Sequence, residues 1–280
     1  MLTLAILLTV HNRKAKTLAC LESVFNQKNL PTNLRTRIFL VDDGCSDGTA
    51  KAVDEQFPDV TILKGTGKLF WSGGMRMAFG AALEIGFDFY LWLNDDTFLF
   101  TSSINRLLAT STKFKHQAIV VASMQDPQSG QLTYGGVIRL EKWHPIRFTP
   151  IAPSNSPIPV ETMNGNCVLI PQTVAQKVGN IDPTFTHGIG DYDYGLRARQ
   201  FGIEVFIAPG YYGHCKRNIP FNYKIGFRGR WKQILSPHGL PPKEWIIFVY
   251  RYGGPFWFVF WFAPYLKIML VRGQKWISFH

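Results

Sequence analysis

Two pairs of adjacent carboxylates are the residues of this sequence best suited to chemistry. Asp42-Asp43 follows the apolar residues 38–41, and Asp95-Asp96 follows the apolar residues 89–93. Neighbouring carboxylates repel each other unless a cation or a proton lies between them. A hard divalent ion that also holds a substrate's phosphates would satisfy such a pair. Taken alone, either pair is also typical of a solvated turn after a strand.

The elements that would position these acids follow from the pattern of apolar residues. Residues 4–10, 38–41, 60–63 and 89–93 are apolar runs typical of strands buried on both faces. Helical spacing separates them, and the last intervening helix is predicted from about residue 75 to 85. This alternation predicts an α/β fold with a mostly parallel, doubly wound sheet and flanking helices. Its carboxyl edge is where such sheets bind ligands, so both acid pairs should lie there.

A glycine-rich segment with a lysine lies between the two acid pairs. Gly65 and Gly67 precede Lys68, and Gly73 and Gly74 follow it. Each glycine pair alone is typical of a tight connection, but convergence with the acids on one sheet edge favours a nucleotide site. No G-x-G-x-x-G motif follows the first strand and no Walker A loop is present, so the pattern is not that of a dinucleotide or P-loop protein.

Composition sets the class of protein. The 280 residues, 46% hydrophobic and 18% charged, allow one large core or one core plus an appendage, and exclude a disordered or multi-span membrane protein. Four scattered cysteines without a close metal-type pair indicate reduced thiols in a cytoplasm. Residues 2–10 are too short for a membrane span and lack a basic start and a cleavage site, so they predict a first strand.

The positive charge is concentrated at the C-terminal end. Residues 216–280 hold eleven Lys and Arg against one acid, Glu244, whereas residues 1–215 hold 19 bases against 18 acids. We therefore predict a near-neutral globular domain over residues 1–215 and a basic, aromatic C-terminal region over residues 216–280. Nucleic acid or an anionic membrane surface could each attract such a region.

The aromatic content of that region favours a membrane surface. Residues 245–250 and 256–263 are strongly apolar, and the uncharged stretch from Tyr252 to Leu266 is about 15 residues, short of the roughly 20 that a spanning helix needs. Aromatic segments among Lys and Arg suit helices that lie in the membrane interface. A C-terminal helix packed on the globular domain is the alternative. The Phe and Trp run is too continuous for a nucleic-acid stacking platform.

Several motifs occur in the order found in a known family. They are Thr9-Val10-His11-Asn12-Arg13, Val41-Asp42-Asp43-Gly44-Cys45-Ser46-Asp47-Gly48-Thr49, Leu93-Asn94-Asp95-Asp96, Met163-Asn164-Gly165-Asn166-Cys167-Val168-Leu169-Ile170, Val178-Gly179-Asn180-Ile181-Asp182 and Gly190-Asp191-Tyr192-Asp193-Tyr194-Gly195-Leu196-Arg197. Over residues 3–215 they resemble family 2 glycosyltransferases of GT-A fold. Phe70-Trp71-Ser72-Gly73-Gly74-Met75 resembles the rhamnosyltransferase-like members.

The resemblance implies a donor site for a sugar nucleotide. The predicted nucleotide-binding residues are Thr9, His11, Asn12, Arg13, Asp42, Lys68, Gly73, Gly74 and Asp95. Asp42 would accept a hydrogen bond from a pyrimidine ring. Asp96 would bind the Mn²⁺ or Mg²⁺ ion that bridges the two phosphates of the leaving group. His214 would be a further metal ligand, as in some members, although a structural histidine is the alternative.

The resemblance also assigns the reacting residues. Asp191 matches the general base that deprotonates the acceptor hydroxyl, and Gly190 stands where the family usually has Glu. Acids at a helix start are also favoured by the helix dipole, which is the alternative for Asp193. Asn164, Gly165 and Asp193 are predicted to lie at the sugar or the acceptor.

The expected activity is therefore an inverting hexosyl or deoxyhexosyl transfer. It would move a sugar from a nucleoside diphosphate to a hydroxyl of a glycan or lipid-linked acceptor. The expected context is cell-surface polysaccharide biosynthesis on the inner face of the cell membrane, with residues 245–280 on the membrane and no nucleic acid bound. A nucleotidyltransferase that forms sugar nucleotides, or a non-catalytic relative that binds them, are the alternatives.

Overall fold

The computed structural model describes residues 1–141, 144–218 and 225–270. The strands are β1 (Leu2–Val10), β2 (Leu34–Asp42), β3 (Val60–Lys64), β4 (Phe89–Leu93), β5 (Phe98–Leu99), β6 (Ile119–Gln125), β7 (Leu132–Tyr134), β8 (Gly136–Glu141), β9 (His144–Pro150), β10 (Ile158–Val160), β11 (Thr162–Met163), β12 (Cys167–Pro171) and β13 (Val205–His214). The helices are α1 (Lys14–Phe25), α2 (Thr49–Gln56), α3 (Phe70–Ile85), α4 (Ser103–Lys113), α5 (Gln172–Val178), α6 (Gly190–Gln200), α7 (Phe227–Ile234), α8 (Pro242–Tyr252), a 3₁₀ turn (Gly254–Phe256) and α9 (Trp257–Leu270).

The central sheet is mostly parallel, as predicted. Its strand order is β10-β13-β6-β12-β4-β1-β2-β3. The first four strands of the chain pair in parallel, with β1 between β2 and β4. Beyond β4 the sheet continues through the antiparallel strand β12. The ends of β1, β2 and β4 therefore lie side by side, and we call this the carboxylate edge.

Hydrophobic cores cover both faces of this sheet. Alternate residues of β1 point to opposite faces, so Leu4, Ile6 and Leu8 join one core while Ala5 and Leu7 join the other. Helices α1, α2 and α4 cover the first face and α3, α5 and α6 cover the second. All five residues of β4 are buried, which confirms a strand enclosed on both faces.

Helix α3 begins five residues earlier than the sequence predicts. Gly73 and Gly74 lie in its first turns instead of in a preceding loop. A Cβ atom at Gly74 would overlap with Oγ1 and Cβ of Thr9. Because glycine lets the helix approach β1 so closely, tertiary packing overrides the weak helix propensity of the glycine pair.

Helices α7, α8 and α9 pack on the rest of the fold. Trp245, Phe248 and Val249 of α8 are buried in a third core, which also contains Phe148 of β9 and Phe185. Within the described residues, no helix is both long and apolar enough to cross a membrane. Of the segment predicted to contact membrane, residues 271–280 lie outside the described residues, as do the basic residues Lys224, Arg272 and Lys275.

Candidate active site

An ion-pair cluster occupies the carboxylate edge. One guanidinium nitrogen of Arg13 lies 2.9 Å from Oδ2 of Asp96 and 3.2 Å from Oδ1 of Asp95. The ammonium of Lys16 lies 3.9 Å from the same Asp96 oxygen. Arg13 follows β1 and both acids follow β4, so the parallel pairing of these strands brings the three together. The mutual repulsion of the two carboxylates is thus balanced by protein cations.

Asp95 retains an oxygen that the described residues do not satisfy. Its Oδ2 is buried without a hydrogen-bond partner in the described part of the chain. Burial raises the pKa of Asp95 to about 7, with the charge of Asp96 adding to the effect and Arg13 opposing it. A buried, unpaired carboxylate oxygen beside a second carboxylate is a hard donor set that fits a divalent ion.

Two residues that follow β13 contact Asp96. Sγ of Cys215 lies 3.7 Å from Oδ1 of Asp96, and Nδ2 of Asn218 lies 3.5 Å from its Oδ2. The ring of His214, the predicted metal ligand, packs edge-on against Phe100 with 5.0 Å between the ring centroids. Among the described residues, no three His, Cys, Asp or Glu side chains are arranged to hold a metal. A bound metal would therefore need other donors, such as phosphate oxygens.

The two acids at the end of β2 make different contacts. Asp43 is buried and accepts three backbone N–H groups, from Gly67, Leu69 and Phe70, at 2.7, 2.9 and 3.1 Å. It therefore fixes the glycine-rich segment before α3. Asp42 is half-buried, and its Oδ1 accepts the backbone N–H of Cys45 at 2.8 Å.

The residues predicted around the nucleotide extend along the same edge. His11 and Asn12 are exposed; Nδ1 of His11 lies 2.6 Å from the carbonyl of Asp43, and Asn12 accepts the N–H of Ser46 at 2.7 Å. Lys68 is exposed on the glycine-rich segment. Thr9 and Gly74 form the contact between β1 and α3 described above, and Gly73 lies beside Gly74 in α3.

Asp191 lies at the start of α6, opposite the carboxylate edge. Its Oδ2 accepts the backbone N–H of Gly165 at 2.9 Å, and its Oδ1 accepts the N–H of Tyr192 at 2.8 Å. Desolvation by the surrounding protein raises the pKa of Asp191 to about 6, and these two hydrogen bonds oppose the rise. A carboxylate with such a pKa can accept a proton near neutral pH.

Asp193 lies apart from the cavity, in an ion-pair cluster. Its fully buried carboxylate accepts hydrogen bonds from Arg197 at 2.7 Å, from Arg251 at 2.8 Å and from the hydroxyl of Tyr252 at 2.8 Å. Arg251 also pairs with Asp182 at 2.7 Å. These contacts hold α6 against α8, and Asp193 is not among the residues that line the cavity described below.

A cavity of about 580 Å³ lies between part of the carboxylate edge and the start of α6. It is lined by Arg13, Trp71, Asn94, Asp95, Tyr134, Ile146, Phe148, Asn164, Gly165, Asn166, His187, Gly188, Ile189, Asp191, Tyr192, Asn218, His238, Leu240, Trp245 and Phe248. Arg13, Asp95, Asn164, Gly165 and Asp191 were predicted from the sequence, and the structure brings them to one space. A second cavity of about 310 Å³ lies near Glu161 and Arg199, away from the carboxylate edge.

Two histidines at this cavity carry no sequence motif. The rings of His187 and His238 lie 4.0 Å apart between centroids. Burial, together with His238 and Arg13, lowers the pKa of His187 to about 4. His187 is therefore neutral near pH 7. Its neighbour Trp71 lines the cavity and donates its indole N–H to Oδ1 of Asn94 at 2.7 Å.

The model of the family described as Glycosyl transferase family 2 matches residues 5–179. No curated protein has a significantly similar sequence. Among solved structures, the chain is similar to the crystal structure of GalNAc-T7 with UDP, GalNAc and Mn2+, at a TM-score of 0.68 and 14% identity. That match covers 98% of this chain and 52% of the other, so this chain spans about half of its length.

Proposed function

The chain belongs to glycosyl transferase family 2 and has the GT-A fold, and on that premise we propose that it is an inverting, metal-dependent glycosyltransferase. The observation that supports this most strongly is the single cavity that Asp95 and Asp191 both line. One carboxylate cluster for the donor and one separate base are the two parts that a direct displacement needs.

Asp96 and Asp95 would hold the divalent ion. The structural relative was solved with UDP and Mn2+, and the unpaired Oδ2 of Asp95 fits such an ion. When bound, Mn²⁺ or Mg²⁺ would neutralise the charge that develops on the leaving diphosphate. Arg13 already lies 2.9 Å from Asp96, so it would contribute positive charge beside the same phosphates. Thr9, His11, Asn12 and Asp42 would bind the nucleoside, with Lys68, Gly73 and Gly74 nearby.

Asp191 would act as the general base. The acceptor hydroxyl loses its proton to a carboxylate oxygen of Asp191 while its own oxygen forms a bond to the anomeric carbon. The bond from that carbon to the diphosphate breaks in the same step, and the nucleoside diphosphate leaves. Gly165 and Tyr192 hold both carboxylate oxygens through backbone N–H groups at 2.9 and 2.8 Å, which orients the base.

The acceptor would be a hydroxyl of a glycan or a lipid-linked glycan, presented at a membrane. Helix α9 exposes Phe258, Phe262 and Leu266 at 49%, 52% and 48%. These residues recur every four positions, so they lie on one face of the helix. With the eleven bases of residues 216–280, this face would bind the interface of an anionic membrane. A role in cell-surface polysaccharide biosynthesis is part of this proposal, as is a deoxyhexosyl or hexosyl donor.

Donor binding is the direct test. A panel of nucleotide sugars is added with Mn²⁺ or Mg²⁺, and the rise in unfolding temperature is measured. We expect one class of nucleotide sugar to stabilise the protein, and only when metal is present.

Asp96→Asn should remove that metal-dependent stabilisation, because it replaces a charged oxygen ligand by a neutral amide. Asp54→Asn on the exposed face of α2 is the matched control and should leave it unchanged. Stabilisation by no nucleotide sugar, or equal stabilisation of the Asp96→Asn variant, would refute the proposed donor site.

A further inference from the structure

Two histidines from separate parts of the chain meet at the cavity. His187 lies in the loop before α6, whereas His238 lies between α7 and α8 in the basic C-terminal region. Their ring centroids are 4.0 Å apart, and both residues line the cavity together with Arg13. His187 is half-buried and His238 is exposed, so a ligand in the cavity can reach the ring of His238. The donor and base residues proposed above include neither histidine.

Contacts within the fold fix the two loops that carry these histidines. Glu244 of α8 accepts the hydroxyl of Thr186 at 2.6 Å and the backbone N–H of Thr186 at 3.1 Å. Thr186 directly precedes the first histidine, so this contact ties its loop to the C-terminal region. The hydroxyl of Tyr265 in α9 donates to the carbonyl of Leu240 at 2.7 Å, two residues after the second histidine. Both rings therefore have a defined position relative to α8 and α9.

A strained residue packs against both rings. Phe70, at the start of α3, has a φ of 54°, which is unfavourable for a residue with a side chain. Its ring centroid lies 6.2 Å from that of His187 and 5.7 Å from that of His238, edge-on in both cases. Its backbone N–H is held by the buried carboxylate of Asp43 at 3.1 Å. Backbone strain of this kind is characteristic of functional sites.

The hydrogen bonding of His187 leaves one ring N–H for a ligand. Nδ1 of His187 accepts the backbone N–H of Trp71 at 3.4 Å. The ring is neutral at pH 7, because burial, with His238 and Arg13, lowers its pKa to about 4. In a neutral imidazole one nitrogen accepts and the other carries the proton. Nε2 of His187 is therefore a donor.

The charge of Arg13 acts on both histidines. Desolvation by burial, and then Arg13, lowers the pKa of His238 below its ordinary value, so this ring is also neutral at pH 7 in the free protein. Among the described residues, Arg13 and His187 are the charged or titratable groups that act on His238. The same guanidinium pairs with Asp95 and Asp96. The two rings therefore lie beside the place proposed for the diphosphate of the donor.

We propose that His238 is a further residue of the donor site, which binds the diphosphate and takes up a proton when the donor binds. This inference rests on the proposed glycosyltransferase function. The imidazole takes the proton from solvent, and the imidazolium donates an N–H to a phosphate oxygen. His187 stays neutral and donates its Nε2–H to the same diphosphate.

The charge of a diphosphate is what favours this ligand at the two rings. An opposite charge within about 4–6 Å raises the pKa of a histidine by about one to three units, which offsets the effect of burial and of Arg13. A neutral ligand, such as a sugar hydroxyl, would cause no such rise. A histidine that becomes charged only when phosphates are present also avoids a second cation beside Arg13 in the free protein.

Proton uptake is the direct test. The intact nucleotide sugar that stabilises the protein most is titrated calorimetrically with Mn²⁺ at pH 7, in two buffers of different ionisation enthalpy. The difference in heat counts the protons taken up, and the phosphates of an intact nucleotide sugar are diesters that do not titrate near pH 7. We expect proton uptake by the wild type and its loss in His238→Gln. His116→Gln, after α4 and outside the cavity, is the control and should keep the uptake.

Donor affinity should follow the same proton. His238→Gln should raise the Kd of the donor about tenfold at pH 6.5 but by less than about threefold at pH 8.5, because the bound imidazole is charged only at the lower pH. His238→Lys carries its charge at both pH values, so it should bind the donor tightly at both without proton uptake. A proton bound at Asp95 would act in the opposite direction, since it weakens the metal, and it is common to all the variants.

Several results would overturn the inference. The first is equal proton uptake in the wild type and in His238→Gln. The second is a Kd that rises equally at pH 6.5 and pH 8.5, which would indicate a structural role of the ring. The third is a loss of uptake in His116→Gln as well. If His238→Gln does not fold, as judged by circular dichroism, His238→Lys decides the question, because uptake equal to that of the wild type would exclude His238 as the group that takes up the proton.

Failure of the proposed function is distinguishable from failure of this inference. A wild-type protein that binds no nucleotide sugar in the presence of metal would refute the glycosyltransferase proposal. A wild-type protein that binds one, with the same proton uptake as His238→Gln, would refute only the role of His238.

Discussion

At the scale of single residues, the environments of two aspartates give them different tasks. Asp191 keeps both oxygens in hydrogen bonds with backbone N–H groups, which orient its carboxylate, and no described Lys or Arg forms an ion pair with it. Asp96 is instead held by the guanidinium of Arg13. Since an unpaired carboxylate with a raised pKa is the better proton acceptor, Asp191 is the base and Asp96 the cation ligand in the proposed mechanism.

The raised pKa of Asp191 predicts how kcat/KM changes with pH. The base must be ionised to accept a proton, and its pKa is about 6. We therefore expect kcat/KM to fall about tenfold for each pH unit below that value. Asp191→Asn should reduce transfer by about 10² to 10⁴ while donor binding, measured by thermal shift, stays within twofold. Unchanged turnover in Asp191→Asn would show that another group is the base.

The pairing of Arg13 with both acids predicts competition with the metal. Arg13→Gln removes one positive charge beside Asp95 and Asp96, so Mn²⁺ without nucleotide should bind about two- to fivefold more tightly. Electron paramagnetic resonance of free Mn²⁺ measures this. Lys16→Gln is the control; its ammonium is 3.9 Å from Asp96 and 52% exposed, so its effect should be smaller. Weaker Mn²⁺ binding in Arg13→Gln would contradict the competition.

At the scale of elements, α6 and α8 are joined by charges inside the protein. The carboxylate of Asp193 is completely buried between Arg197 of α6 and Arg251 of α8. Such a cluster is stabilising only while all members are present, since the loss of one leaves the others without compensation. The same contact sets the distance between the helix that carries Asp191 and the helix that carries Trp245.

Asp193→Asn should therefore reduce the free energy of unfolding by about 3 kcal/mol. Urea denaturation measures the change. Glu55→Gln, which breaks an exposed pair with Lys51 at 3.7 Å, should change it by less than about 0.5 kcal/mol. A loss below about 1 kcal/mol in Asp193→Asn would mean that the cluster adds little to the stability of the fold.

The elements differ in how far the sequence could predict them. Strands β1, β2 and β4 are continuous apolar runs, and a parallel sheet follows from their alternation with helices. The antiparallel pairing of β12 with β4 has no local signal. The start of α3 also has no local signal. Glycines such as Gly74 are typical of turns, and only the packing of Gly74 against Thr9 of β1 explains its position in a helix.

The candidate site was predictable where its residues lie in sequence motifs. Arg13 and Asp95 belong to motifs that follow strands, Asp191 belongs to a motif at a helix start, and all three line one cavity. Cys215 and Asn218 reach Asp96 only through the position of β13 in the sheet. His238 and Trp245 reach the cavity through the packing of the third core, which depends on residues far apart in the chain.

At the scale of the whole molecule, the C-terminal region contributes both to the cavity and to an exposed apolar face. Helix α8 packs into the third core and lines the cavity, while α9 packs on α8 and exposes Phe258 and Phe262. Deletion of residues 245–280 would remove much of that core as well as the exposed face. Point substitutions on α9 are therefore the sharper test of membrane binding.

The double variant Phe258→Glu and Phe262→Glu should lose binding to vesicles that contain anionic phospholipid. Each change replaces an apolar side chain at the lipid interface by a carboxylate, which is unfavourable there and repelled by the anionic surface. Co-sedimentation with vesicles measures the bound fraction. Phe201→Glu, at a residue 56% exposed on the catalytic fold, is the control. Equal sedimentation of the double variant and the wild type would refute the membrane contact.

The order of the strands also affects how the chain folds during synthesis. Strands β1 to β4 are sheet neighbours drawn from residues 2–93, but the other neighbour of β4 begins only at Cys167. Because chains emerge from the ribosome N-terminus first, the half with Arg13 and Asp95 can assemble before Asp191 has been made. Until β12 arrives, β4 presents an apolar strand with one open edge. We expect this nascent half to be the stage at which the protein depends most on chaperones.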